Sequence, residues 1–146
     1  QLARAMVLAQ HQDTLNQADQ VLAEHAKSVE STYMLMKVVE LQLILKKWED
    51  AQDLCRRSVN GETIGHSSTY ESFHQKLVES LADGSLEDLE TQNDWQKYRK
   101  EYILALWSYS RNQMDQAKEH LEYCAQHRSM NVADHWVRAF LERWEW

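Results

Sequence analysis

Apolar residues recur along this chain every three or four positions, which is the period of amphipathic helices. The clearest stretch spans residues 102–125, where a polar break at 111–113 separates two apolar runs. In the second run Ala117, Leu121 and Cys124 follow each other at i, i+4 and i+7, the spacing of one helix face. The stretch predicts two helices joined by a short turn. Such a pair needs neighbouring helices to cover its inner face.

The same period predicts helices on the N-terminal side of this pair. One apolar stripe covers residues 2–11, and a second covers 15–26 with Asp13 as its N-cap. A longer helix begins at residue 31 or 32 and ends at Lys46-Lys47, where two cations complement the negative end of the helix dipole. The next helix begins at Trp48 and stops before Gly61.

Residues 60–99 are less regular. A helix capped by Ser67 or Ser68 is predicted to end at Asp83-Gly84. The pattern Ser85-x-x-Asp88 resembles a capping box over a short helix, with Asp in place of the usual Glu. Asn93 or Asp94 then caps the long helix that leads to Arg111.

The last predicted helix starts at about Val132 and carries a broad apolar face, made of Trp136, Val137, Phe140, Leu141 and Trp144. In a stack of repeats it is either the terminal helix that covers the last unit or the first helix of a further repeat. Because every periodic segment is helical, we expect an all-α fold of about eight or nine helices.

The predicted helix pairs repeat at a fixed spacing. Ala18, Ala51 and Ala117 are separated by 33 and 66 residues. Four residues after these alanines come Leu22, Cys55 and Leu121, and three residues before them come Leu15, Trp48 and Met114. On the preceding helices the matching pairs are Ala5-Met6, Val38-Val39 and Leu104-Ala105. A fixed period near 34 with paired helices is typical of a helical repeat protein.

The segments WEDAQDLCRRSV (48–59) and MDQAKEHLEYCA (114–125) resemble the second helix of the tetratricopeptide repeat. The resemblance covers about two-thirds of the chain. It departs from the family where Lys46 and Asn112 replace the glycine between the helices, and where the closing proline is missing. It implies a right-handed α-solenoid formed by one domain, 1–146, with units at about 1–30, 31–61, 66–93 (degenerate) and 94–128, and a terminal helix at 132–146.

In the resembled family the first helices of successive repeats line a concave groove that holds an extended peptide or a partner helix. The residues that the resemblance places on this groove are Arg4, Val7, His11, Tyr33, Met36, Lys37, Glu40, Arg99, Tyr102, Leu106 and Tyr109. Tyrosine and arginine are frequent anchors of interfaces. Packing against the adjacent helix is the competing explanation for these residues, and we expect about half of them to be exposed.

Composition narrows the class of function. The net charge of −7 and the lack of a basic cluster argue against a nucleic-acid surface. No apolar run is long enough to span a bilayer, so we expect no membrane insertion. Cys55 and Cys124 lie on apolar helix faces and are predicted to be reduced core thiols, which favours a cytoplasmic location. The chain starts at Gln1 rather than Met, and we expect it to be part of a longer protein.

The candidate chemistry is sparse. His120, Cys124 and His127 share one helix face, but a zinc site needs further ligands, and packing already explains Cys124. There is no phosphate-binding loop and no hydrolase or metalloprotease motif, so we expect no catalytic residues, no metal and no cofactor. Residues 77–96 carry six carboxylates and no cation. We interpret them as a solvated face, with docking of a basic partner as the alternative.

These observations favour a non-catalytic interaction module or scaffold that binds a protein or peptide partner. A second hypothesis is a secretion-type chaperone, because such chaperones are also acidic tetratricopeptide-like proteins of about this length. A third is a helical regulatory or sensor domain of a larger signalling or transcription regulator, which the six Trp and six Tyr residues would suit.

Overall fold

A computed structural model describes residues 32–60, 72–127 and 133–144, and the single helical position Gln20. All regular secondary structure in these ranges is helical, which confirms the all-α class. The helices are α1 (Thr32–Ile44), α2 (Trp48–Val59), α3 (Ser72–Asp83), α4 (Asp94–Ser110), α5 (Met114–Gln126) and α6 (Ala133–Arg143). A single 3₁₀ turn, Leu86–Asp88, lies between α3 and α4. The helices predicted over 2–11 and 15–26 lie outside the described residues.

Helices α1 and α4 form the centre of the described fold. Helix α1 is apolar around most of its circumference, and it packs against α2, α3 and α4. All but one of the α1 residues from Leu35 to Ile44 are buried, and so is every α4 residue from Tyr102 to Ser110. Helix α5 packs against α4, and α6 packs against α5. The core therefore lies along the α1–α4 contact, between two helical hairpins.

The two hairpins, α1–α2 and α4–α5, turn in the same way. Lys46 and Asn112, which are 66 residues apart, have φ angles of 60° and 61°. The amide of Lys46 donates to the Leu43 carbonyl at 3.0 Å, and the amide of Lys47 donates to Gln42 at 2.8 Å. At 108–113 the same two bonds recur with the same lengths. This is the Schellman ending of a helix, in which a left-handed residue closes the last turn.

The second helices of the hairpins also correspond. Ala51 and Ala117 are 1% and 0% exposed, and Cys55 and Leu121, four residues later, are both 0% exposed. Both cysteines are buried thiols, which confirms the prediction of core thiols. The predicted face of α6 is buried at Val137 and Phe140, and at Trp144 directly after the helix, while Trp136 and Leu141 pack partly buried beside it.

Helix α3 packs mainly on α2, and two α2 side chains close its C-terminal end. Gln52 donates to the carbonyl of Leu81, and Arg56 donates to that of Ala82, both at 3.1 Å. The last carbonyls of a helix have no partner within the helix, so these bonds satisfy them. Gly84 then ends α3 with a φ of 72°. The predicted end of this helix at Asp83-Gly84 is confirmed.

The two helix starts predicted between residues 84 and 94 have different outcomes. Asn93 caps α4, because its side-chain oxygen accepts the amide of Gln96 at 2.8 Å. The capping box at Ser85 is wrong, because that side chain makes no capping bond and only a single 3₁₀ turn follows. Three residues of 3₁₀ helix present few free amides, so there is little for a capping box to satisfy.

The unit predicted as degenerate consists, within the described residues, of α3 and the 3₁₀ turn. Helix α4 packs directly on α1, so the two hairpins are neighbours in space although 66 residues separate their equivalent positions. The superhelical sense and the total of eight or nine helices remain predictions.

Candidate functional site

Five polar side chains from three helices gather where α1, α3 and α4 meet. We call them the inner cluster: Lys37 and Glu40 from α1, His74 from α3, and Arg99 and Tyr102 from α4. The two residues on α1 are three positions apart, as are the two on α4, so each pair lies on one helix face. Four of the five come from the predicted groove.

A buried ion pair joins α1 to α4 within the inner cluster. Arg99 Nη1 donates to Glu40 Oε1 at 2.9 Å, and the two residues are only 6% and 1% exposed. Lys37 Nζ lies 3.5 Å from Glu40 Oε2, a distance too long for a strong hydrogen bond. Burial of charge is costly unless the charge is paired, and here two cations surround one carboxylate.

The surrounding charges determine the state of Glu40. Burial raises the pKa of its carboxyl, but the charges of Arg99 and Lys37 and the hydrogen bond from Arg99 outweigh burial and hold the pKa below the ordinary value of 4.5. Glu40 is therefore a carboxylate at neutral pH. A carboxylate held by two cations is a weak base, so the arrangement suits positioning of helices better than proton transfer.

His74 is the neutral member of the inner cluster. It is 6% exposed, and burial, followed by the charge of Arg99, lowers its pKa from 6.5 to about 4. Its ring contacts Trp95 edge-on, with ring centroids 5.7 Å apart, and Phe73 lies against both rings. Its Nδ1 atom is buried without a hydrogen-bond partner. The imidazole therefore packs as an aromatic ring at neutral pH.

Tyr102 lies beside Arg99, and the centroid of its ring is 5.7 Å from the Arg99 guanidinium carbon. The residue is 1% exposed, and its hydroxyl is buried without a hydrogen-bond partner. Burial, with the charge of Glu40 as the next cause, raises its pKa well above 10. It is a neutral phenol at every physiological pH.

The structure buries most of the described residues of the predicted groove. Of its described side chains only Lys37 is partly exposed, at 28%. The buried ones are Met36, Glu40, Arg99, Tyr102, Leu106 and Tyr109. The expectation that about half are exposed is therefore wrong for these residues. Arg4, Val7, His11 and the side chain of Tyr33 lie outside what the structure describes.

Two contacts explain part of this burial. Glu40 and Arg99 face each other across the α1–α4 contact rather than pointing into an open groove. Tyr109 stacks on Trp144, which follows α6, with ring centroids 3.6 Å apart and planes inclined by 10°. The described residues of the predicted groove therefore act mainly in packing.

Sequence reasoning missed His74 and Trp95. Trp95 is 37% exposed and, with Val59, is one of two large hydrophobic side chains exposed in the described part of the chain. It extends the stripe of Arg99 and Tyr102 by one helical turn, at the spacing i, i+4, i+7, and this spacing was the available signal. His74 has no comparable signal, because its neighbours on α4 lie more than twenty residues away in sequence.

The histidines and cysteine on α5 have separate environments. His120 contacts Glu101, while Cys124 is buried with its Sγ 3.8 Å from the Tyr98 carbonyl. His127 is exposed and stacks on Tyr123. Within the described ranges, no group of three or more His, Cys, Asp or Glu residues is arranged to hold a metal ion.

The described helices also include none that is long and apolar enough to cross a membrane. Comparisons of this chain with protein-family models, with curated proteins and with solved structures find no match.

Proposed function

We propose that this chain is a non-catalytic protein-interaction module whose helical hairpins stack as in a tetratricopeptide-like solenoid. The observation that supports it is the equivalence of the two hairpin turns. They share a left-handed residue, the same pair of Schellman bonds and a 66-residue offset, and buried alanines follow both at the same position. One hairpin geometry used twice in a chain is a property of repeat proteins, which present extended surfaces to partners.

Direct contact between the two turns supports stacking. Lys46 Nζ donates to Asn112 Oδ1 at 2.9 Å, so the equivalent left-handed residues of the two hairpins touch each other. In a stack of repeats, each unit places its turn beside the turn of its neighbour. This pair of hairpins fits that arrangement, with α3 and the 3₁₀ turn as an insertion between them.

Trp95 supplies an anchor for a partner. Its ring rests on Phe73 and His74, with centroid distances of 5.7 Å to each, and more than a third of the residue remains exposed. A tryptophan held on a packed base loses little freedom when a partner covers it, and tryptophan is among the residues that most often dominate binding energy. The exposed end of Trp95 therefore suits an apolar side chain of a partner protein.

Exchange of Trp95 for alanine tests this proposal. We expect Trp95→Ala to weaken partner binding by more than about 1 kcal/mol and to lower the free energy of unfolding by about 1–2 kcal/mol. Val59→Ala is the matched control, because Val59 is the other exposed large hydrophobic residue among those described. Immobilised wild-type and variant chains are incubated with native extract, and bound proteins are quantified by mass spectrometry. One enriched protein is then purified and titrated directly.

Selective loss of that protein with Trp95→Ala, and not with Val59→Ala, supports the proposal. Equal losses with both variants, or no protein enriched above an unrelated bait, contradict it.

A further inference from the structure

A cationic and aromatic surface lies at the end of the molecule where the two hairpins turn. We call it the turn surface, and it consists of Lys46, Trp48, Arg111 and Asn112, with the buried ring of Trp107 beneath Arg111. It lies at the C-terminal ends of α1 and α4, whereas Arg99 of the inner cluster lies three turns earlier on α4. A shallow depression lined by residues 46–50 lies at the same end.

Arg111 is held on two tryptophan rings. Its guanidinium carbon lies 5.2 Å from the centroid of the Trp48 ring and 5.3 Å from that of Trp107. The two rings meet edge to face, with centroids 5.8 Å apart. An arginine on aromatic rings keeps its planar group oriented, and its N–H donors stay available at the edge. Arg111 is exposed, and it forms no ion pair with any carboxylate that the structure describes.

Lys46 is the second fixed cation of the turn surface. Its ammonium donates to Asn112 and lies 4.7 Å from the centroid of the Tyr109 ring. It too is exposed, and no carboxylate in the described ranges pairs with it. Because Asn112 directly follows Arg111 in the chain, the Lys46–Asn112 bond brings the two cations to the same edge of the molecule.

Cations at helix C-termini also have an ordinary explanation, which is attraction to the negative end of the helix dipole. That attraction accounts for their charge. It does not account for the two tryptophan rings under Arg111. Some other described cations have carboxylate partners, as Arg57 has in Asp53 at 3.2 Å and Lys37 has in Glu40, whereas Lys100 donates to a backbone carbonyl.

We propose that the turn surface binds an acidic peptide segment of a partner protein, with carboxylates on Arg111 and Lys46. Arginine can donate two parallel hydrogen bonds to one carboxylate. The rings of Trp48 and Trp107 hold the Arg111 guanidinium in place before binding, so little conformational freedom is lost when the peptide binds. The exposed carboxylates of Glu49 and Asp50 line the same depression as Lys46 and limit the positive surface to a short stretch.

This inference rests on the proposed function, since it names the chemistry of a protein partner, but it uses a different surface from Trp95. The test uses the full chain and two synthetic peptides, one rich in Asp and Glu and one of equal length with Asn and Gln instead. Binding is followed by calorimetry and by tryptophan fluorescence, which Trp48 and Trp107 make sensitive to this surface. We expect only the acidic peptide to bind, and more weakly as salt is raised.

Variants locate the binding. Arg111→Gln and Lys46→Gln are each expected to lower affinity for the acidic peptide about tenfold or more, and Arg111→Lys to lower it less. Arg57→Gln is the control, because it removes an exposed cation of α2 that is not part of the turn surface. Melting temperatures verify that each variant is folded, and Lys46→Gln replaces Arg111→Gln if the latter does not fold.

Several results would overturn the inference: no preference for the acidic peptide, equal losses with Arg57→Gln and Arg111→Gln, or tighter Arg111-dependent binding of a single-stranded oligonucleotide. If Trp95-dependent capture of a protein is observed while the acidic peptide does not bind, the proposed interaction module is supported and the proposed binding at the turn surface is contradicted. If both fail, the proposed function falls as well.

Discussion

Lys46 and Asn112 adopt a left-handed backbone conformation that glycine reaches at lower cost. For an L-residue this conformation costs about 1–2 kcal/mol, and less for asparagine, whose short polar side chain bonds locally. Five hydrogen bonds offset the cost here: two Schellman bonds in each turn and one bond between the two side chains. The residues that depart from the family pattern thus join the hairpins, which a glycine at either position could not do.

A prediction at the residue scale concerns His74. Its folded pKa of about 4 lies below the ordinary 6.5, so between these values the unfolded chain binds a proton that the folded chain does not. Stability therefore falls as the pH falls from about 6.5 toward about 4. We expect His74 to account for a loss of about 2 kcal/mol in the free energy of unfolding between pH 7 and pH 5.

Urea unfolding at pH 7, 6 and 5 measures this loss. His74→Phe keeps an aromatic ring beside Trp95 and should make stability depend less steeply on pH. His127→Gln removes an exposed histidine and should leave the pH dependence of stability unchanged. The protonation of Glu40, Arg99's partner, lies below this window, because its pKa is held under 4.5. An unchanged slope in His74→Phe would show that burial of the imidazole is not the cause.

At the scale of the element, the second helix of each hairpin depends on a small residue at one position. Ala117 is fully buried on α5, which packs along α4. We expect Ala117→Leu to overpack this contact and to lower the free energy of unfolding by about 1–3 kcal/mol. Gln116→Leu is the control, since it adds the same side chain at the exposed neighbouring position. Thermal melts that show Ala117→Leu to be neutral would mean that this helix crossing is not close.

The six carboxylates of residues 77–96 are all exposed, namely Glu79, Asp83, Glu87, Asp88, Glu90 and Asp94. This agrees with a solvated face.

The helices begin in two different ways. Asn93 caps α4 with a side-chain bond, but α2 and α5 begin without one, because Lys47 and Gln113 close the preceding turn instead. The tight turn rather than a cap determines where these two helices begin.

At the scale of the whole molecule, the ion pair between Glu40 and Arg99 joins residues 59 positions apart. We expect Glu40→Leu to lower the free energy of unfolding by about 3–5 kcal/mol, because it leaves the buried charge of Arg99 without its carboxylate partner. Arg99→Met should cost less, because Lys37 still faces Glu40. The double variant should be more stable than Glu40→Leu alone, since two apolar residues replace two buried charges.

A double-mutant cycle by chemical unfolding measures this coupling. The exposed pair of Asp53 and Arg57 serves as the control, and its removal should change stability by no more than about 0.5 kcal/mol. Additive effects at Glu40 and Arg99 would mean that the pair does not couple α1 to α4.

Local chemistry determined most of the secondary structure. Apolar period and turn residues predicted α1, α2, α4 and α5 to within about three residues, because helix formation, capping and termination depend on neighbours a few positions away. The repeated alanines were visible for the same reason. The resemblance to a repeat family rested on these local signals.

Tertiary structure alone decided which faces are buried and which side chains meet. Helix α4 is apolar on both sides, so its period could not show that Tyr102 and Tyr109 face inward. The inner cluster and the turn surface both join residues of α1 and α4 that are far apart in sequence. Periodicity specifies a face of one helix, whereas burial, pKa shifts and cation–ring contacts depend on the helix packed against that face.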